Sequence, residues 1–270
     1  MRFFTTITTY TVVFAFWLVA GIGCGASEAT QKDKKRSRHL YDTAHIAWDN
    51  GKGDVLLSIR NLVRSVEADP ENDKAHYFLG VLFRGRDELE KSERHLRESL
   101  RLRQGATGGD RASVAMAQNA LGAVLLDAKK FDEAEKLLLE SLDEILNPSP
   151  WLPRSNLGLL YIETGEYDQA IAHLRRAVFD QPRFCEGLFR LSRAYYLKKS
   201  YPETEAMLKK TLEVAEPECE ILHQDVYNLL GMTYLRMERD NDAKEAFDQC
   251  TKLGPKTNVG NLCAEVASGM

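Results

Sequence analysis

The sequence predicts an all-α fold, a right-handed superhelix of six helix-turn-helix repeats closed by a short C-terminal capping helix. Two recurrences carry this expectation. Along one set of helices, Ile46, Gly80, Gly122, Gly158, Ser192 and Gly231 mark a small slot at separations of 34, 42, 36, 34 and 39 residues. Along a second set, Ser58, Ser92, Ala134, Ala170, Thr204 and Ala243 are each followed four residues on by Leu62, Leu96, Leu138, Leu174, Leu208 and Phe247. Three residues beyond those stand Ser65, Ser99, Ser141, Ala177, Thr211 and Cys250. Small residues let paired helices approach closely, and the large apolar one fills the gap to the neighbouring repeat.

The pattern fits the tetratricopeptide (TPR) template, W-x2-L-G-x2-Y, then A-x3-F and a closing Pro. Residues 151–184 give the clearest copy, with Trp151, Leu157-Gly158, Tyr161, Gly165, Tyr167, Ala170, Leu174, Ala177 and Pro182.

Taken in chain order, residues 1–23 stand outside this fold. Arg2 gives a positive start, Thr11 to Ala20 is apolar, and Gly21-Ile22-Gly23 leads to Cys24, which reads as an export signal. The run is too short and too early for a spanning helix. A cysteine after small residues resembles a bacterial lipoprotein signal, which implies that cleavage leaves Cys24 as the lipidated N-terminus. The slot three before the cysteine usually holds Leu and here holds Gly21. An ordinary secretory signal cut near Ala26, or an uncleaved anchor, stays open. Residues 24–38 are polar and lysine-rich and read as a lipidated flexible tether with a mean reach on the order of 20 Å.

The six repeats follow as 39–72, 73–106, 115–148, 151–184, 185–218 and 224–257, with a cap over 258–270. The first is the weakest copy, because Asn50, Gly51 and Gly53 dilute its helix propensity and Asp49 replaces an aromatic. Extra residues around 105–113, 147–150 and 217–223 are expected in surface connections.

Lys+Arg of 36 against Asp+Glu of 40, a net charge of −4, leaves no basic footprint for nucleic acid. The six histidines, His39, His45, His76, His95, His173 and His223, have no metal-ligand spacing, and phosphate-cradling glycine loops and nucleophile turns are absent. No catalytic residue, metal, cofactor or small-molecule substrate is expected. Setting Cys24 aside leaves Cys185, Cys219, Cys250 and Cys263, an even number in an exported chain. Three connectivities are possible. The hairpin of the fifth repeat favours Cys185 with Cys219, and a returning cap favours Cys250 with Cys263; alternatively Cys250 fills a small buried slot, as Ala177 does.

A TPR array offers a groove lined by its first helices. Slots 2, 5, 9, 12 and 13 place there Tyr77, Val81, Met116, Leu126, Leu152, Leu159, Ile162, Phe189, Arg193, Tyr196, Met232 and Leu235. About half should be consumed in packing between neighbouring helices. The remainder suits an amphipathic helix or an extended apolar segment of a protein partner.

Glu144 to Gly158, with its prolines, and Leu191-Ser192-Arg193-Ala194-Tyr195-Tyr196 resemble segments of the type IV pilus biogenesis and stability lipoproteins, the PilF/PilW-type and Tgl-type pilotins. That resemblance implies an outer-membrane lipoprotein facing the periplasm, held by its N-terminal lipid, which binds a secretin subunit and promotes secretin multimerisation. The competing reading is an envelope scaffold for another assembly machine, such as cell-wall or outer-membrane protein biogenesis.

Overall fold

The computed structural model describes residues 29–48, 53–106 and 110–270, which form fourteen helices and no strand. Cys24 and the apolar N-terminal run lie outside the described residues. The helices α1 (Gln31–Trp48) and α2 (Val55–Ala68) make the first hairpin, and α3 (Asp73–Gly85) and α4 (Leu89–Gly105) the second. The third pairs α5 (Arg111–Asp127) with α6 (Phe131–Asp143), the fourth α7 (Trp151–Glu163) with α8 (Tyr167–Asp180), and the fifth α9 (Cys185–Leu197) with α10 (Tyr201–Glu213). The insertion after α10 folds into one turn, α11 (Pro217–Glu220), before α12 (His223–Arg236) and α13 (Asp240–Leu253) complete the sixth hairpin. The cap is α14 (Asn258–Ser268), packed on α13 and α12.

The large apolar slot on every second helix is fully buried: Leu62, Leu96, Leu138, Leu174, Leu208 and Phe247. Each reaches toward the first helix of its own hairpin, and in four repeats it meets a glycine there. Serines on the second helices tie the hairpins further. Ser92 Oγ donates to Gly80 O at 2.6 Å, Ser99 Oγ to Asp73 O at 2.9 Å and Ser141 Oγ to Ala115 O at 2.8 Å. A buried hydroxyl aimed at an occupied carbonyl is satisfied without loosening the helix.

The turns inside the hairpins repeat one geometry. Asp87, Lys129, Gly165, Lys199 and Glu238 all have positive φ, and the next residue's N–H reaches five residues back, as Lys130 N to Leu125 O at 2.8 Å and Glu166 N to Tyr161 O at 2.7 Å. This is the left-handed helix stop, which satisfies carbonyls that the helix end would otherwise orphan.

The first hairpin departs from the expected register. Ile46 is 77% exposed, and Ala44 fills the small slot, because Ser58 Oγ donates to Ala44 O as Ser92 does to Gly80. The first helix is therefore displaced by two residues, and the connection into α2 contains two more than the period allows. Part of the stretch expected as a flexible tether, residues 24–38, is helical instead. Residues 31–38 are helical, Ser37 is buried, and its Oγ stands 2.8 Å from Ser65 Oγ, so packing of the Ser37 and Leu40 face on α2 extends the helix into the lysine-rich stretch.

The last two repeats are cross-linked. Cys185, opening α9, is bonded to Cys219 in α11, with Cα atoms 5.4 Å apart, and Cys250 on α13 to Cys263 on α14, with Cα atoms 6.1 Å apart. Cys250 also occupies the fully buried slot equivalent to Ala177.

Candidate protein-binding groove

The first helices α3, α5, α7, α9 and α12 lie side by side and line the inner face. Their packing divides the candidate residues into three kinds. Leu126 and Ile162 are buried among neighbouring helices and present no side chain to a ligand. Tyr77, Leu159, Phe189 and Leu235 are half-buried against the two larger core clusters, and Arg193 and Tyr196 are half-buried as well. Val81, Met116, Leu152 and Met232 remain exposed, as does Leu197; each of these five is 36–41% exposed. The result is an apolar ladder with one exposed rung from each of the second to sixth repeats, the rungs standing at different heights along the first helices.

Ion pairs and amides run between these rungs. Arg84 Nε donates to Asp127 Oδ2 at 2.6 Å, joining α3 to α5, and Arg193 faces Glu163 at 3.8 Å, joining α9 to α7. Asn156 Nδ2 donates to Asn119 Oδ1 at 3.0 Å. Arg190 Nη1 donates in turn to Asn156 Oδ1 at 3.1 Å and to Ser155 Oγ at 3.0 Å, while Nη2 pairs with Glu186. Burial pulls the Arg190 pKa below the usual guanidinium value, Glu186 opposes that shift, and Arg84 and Arg193 reinforce it.

The slot rule missed Arg190, Asn156 and Asn119. Arg190 and Asn156 stand one position past slot 5, outside the slots counted for the groove, whereas Asn119 occupies slot 5 itself and is passed over as a polar residue among apolar ones. The available signal was a polar residue in an otherwise apolar helix, since a buried guanidinium requires several acceptors.

Tyr77 has a cation over its ring, with the Arg103 guanidinium 4.7 Å from the centroid. Arg103 is itself held by Asp73 Oδ2 at 2.9 Å and Ser113 O at 2.7 Å. A cleft of about 670 Å³ lies beside this cluster on the edge of the array, lined by Glu71, Asp73, Arg101, Arg103 and Asp110. It is polar and separate from the ladder, so we place the candidate site on the ladder, where apolar side chains recur. Among the described residues, no group of three or more His, Cys, Asp or Glu could hold a metal ion.

Tetratricopeptide repeat profiles match residues 73–143, 155–212 and 224–257, together more than half of the chain. No curated protein sequence matches it. Among solved structures, the chain is similar to PilW, described as a widely conserved type IV pilus biogenesis factor. The TM-score is 0.71 and the identity 18%, over 87% of this chain and 99% of that one. It is also similar to PilF of Pseudomonas aeruginosa, with a TM-score of 0.66 and 17% identity over 86% of this chain and 97% of that one. A chain of the APC/C hetero-tetramer Cut9–Hcn1 gives a TM-score of 0.67 at 15% identity, over 87% of this chain and 47% of that one. Identities this low establish the fold alone. On its repeats, its recurrent turns and the profiles that match them, the chain belongs to the tetratricopeptide repeat proteins.

Proposed function

We propose that this chain is an envelope-anchored adaptor whose groove holds a segment of a type IV pilus secretin and promotes secretin multimerisation at the outer membrane. The observation that carries the reading is the apolar ladder of Val81, Met116, Leu152, Leu197 and Met232. An open groove with one exposed large apolar side chain per repeat suits an amphipathic segment laid along it. Three further features support it. The N-terminal sequence, with Cys24 as the lipid-bearing residue, would fix the chain to a membrane facing the periplasm. The two disulfides suit an oxidising compartment. PilW and PilF share the architecture nearly end to end.

The test is deletion of the gene followed by electrophoresis of unheated and heated envelope fractions. Loss of heat-stable secretin multimers and of pili, restored by the intact gene, is the expected result. Normal multimers and piliation would overturn the reading and leave the chain as a scaffold for another envelope machine. Binding through the groove is expected to vanish when Met116 and Met232 are both replaced by Glu.

A further inference from the structure

Each connection from a second helix to the next first helix returns to the same edge of the array, and α1 begins on that edge too. Lys34 lies 3.6 Å from Glu71 in the α2–α3 connection, and Ser37 bonds Ser65 near the end of α2. Further along the edge, ion pairs bridge successive connections, with Arg111 on Glu144 at 2.8 Å and Arg183 on Glu216 at 2.6 Å. These pairs neutralise carboxylates there.

Between them stand apolar side chains with little to cover them. Ile145 is 89% exposed, Ile221 79% and Phe179 71%, three of the four most exposed large apolar residues among those described. Leu146 and Leu253 are also exposed on this edge. The Arg176 guanidinium lies over the Phe179 ring, 5.1 Å from its centroid. None of these residues belongs to the groove.

The start of α1 adds a second observation. Lys32, Lys35, Arg36 and Arg38 are exposed in its first two turns. A helix N-terminus already has partial positive charge, so cations there are unfavourable by themselves and become favourable beside an anionic surface. From Thr30 back to Cys24 is a span of seven residues, at most about 25 Å of chain, and the apolar run Thr11–Ala20 lies just before it.

We propose that this edge, with Ile145, Phe179, Ile221 and Leu253 at its rim, rests on the anionic bilayer surface that holds the N-terminal segment. The inference deepens the reading above and rests on its membrane attachment. Apolar and aromatic side chains dip into the headgroup region while flanking lysines and arginines meet lipid phosphates. The mouth of the groove is then held close to the membrane.

A photo-crosslinking amino acid is placed singly at Ile145, Phe179 or Ile221 in the full chain, reconstituted into phosphatidylethanolamine–phosphatidylglycerol vesicles. Control positions are Ile46 and Leu57, exposed on the opposite edge. Lipid adducts several-fold more abundant at the three edge positions than at the controls are the expected result. A chain that stays with the vesicles yet labels lipid equally from both edges, or labels only protein, overturns the edge inference and leaves the attachment standing. A chain that stays out of the vesicle fraction overturns the attachment and the inference together.

Discussion

Gly158 lies against Leu174 with room for a hydrogen only: a Cβ at 158 would stand 2.4 Å from the leucine Cγ. Leu174 is fully buried and cannot retreat. Gly158→Ala is therefore expected to cost about 1–3 kcal/mol in urea unfolding, and Leu174→Ala about 2–5 kcal/mol. The double variant removes the clash it would otherwise contain, so its loss should fall below the sum of the two.

The hairpin turns give a pair of opposite effects. Gly165 has φ 83° and Lys129 φ 58° at equivalent positions. Gly165→Ala should lose about 1 kcal/mol through left-handed strain. Lys129→Gly removes such strain and should move stability the other way by less than about 1 kcal/mol, which thermal unfolding of the two variants can compare.

His95 makes stability depend on pH. Burial, the neighbouring His76 and Arg94 bring its pKa down to about 4. Its Nδ1 lies 3.0 Å from that of His76, and its ring stacks on Phe83 at 5.6 Å. The unfolded chain binds the proton more readily, so the contribution is complete above pH ~6.5 and is lost as pH falls from there toward 4. Because the ring is partly solvated, about 1–2 kcal/mol is expected after screening. Denaturation midpoints measured across this range should fall with pH in the intact chain and flatten in His95→Phe.

The disulfides are expected to differ in weight. Cys185–Cys219 spans 34 residues and Cys250–Cys263 spans 13. Loop-closure entropy assigns roughly 4 kcal/mol to the first and roughly 3 kcal/mol to the second. Paired Cys→Ala variants, compared by chemical denaturation without reductant, test the order.

Substitutions in the groove separate binding from folding. Leu152→Glu and Met232→Glu fall at exposed rungs and should leave stability within about 0.5 kcal/mol, while weakening partner binding on the order of tenfold or more. Leu126→Glu buries a charge between first helices and should unfold the array.

The recurrence of small and large slots made the hairpins and their faces legible, because one buried contact, such as Leu138 on Gly122, is repeated in four of the copies. It failed at the first repeat. Ile46 occupies the periodic position, yet Ala44 is the residue that Ser58 bonds, and spacing alone does not show a two-residue enlargement of the intervening turn. The groove was legible as a face but not as a surface. Leu126 and Ile162 have the correct phase and are buried by the neighbouring repeat, a distinction set by the angle between repeats. Arg190 escaped the slot rule because its partners Ser155 and Asn156 come from the preceding repeat, a contact between residues more than 30 positions apart.

Both covalent links lie in the last two repeats and the cap, while the first hairpin is closed by hydrogen bonds such as Ser37 to Ser65 and Ser58 to Ala44. A solenoid whose repeats contact only their neighbours yields to load one unit at a time. If the chain is held from its N-terminus and pulled through its groove, tension arrives first at the hairpin with no staple. The array would then behave as a graded spring, paying out α1 and α2 under force while the cross-linked end keeps its grip.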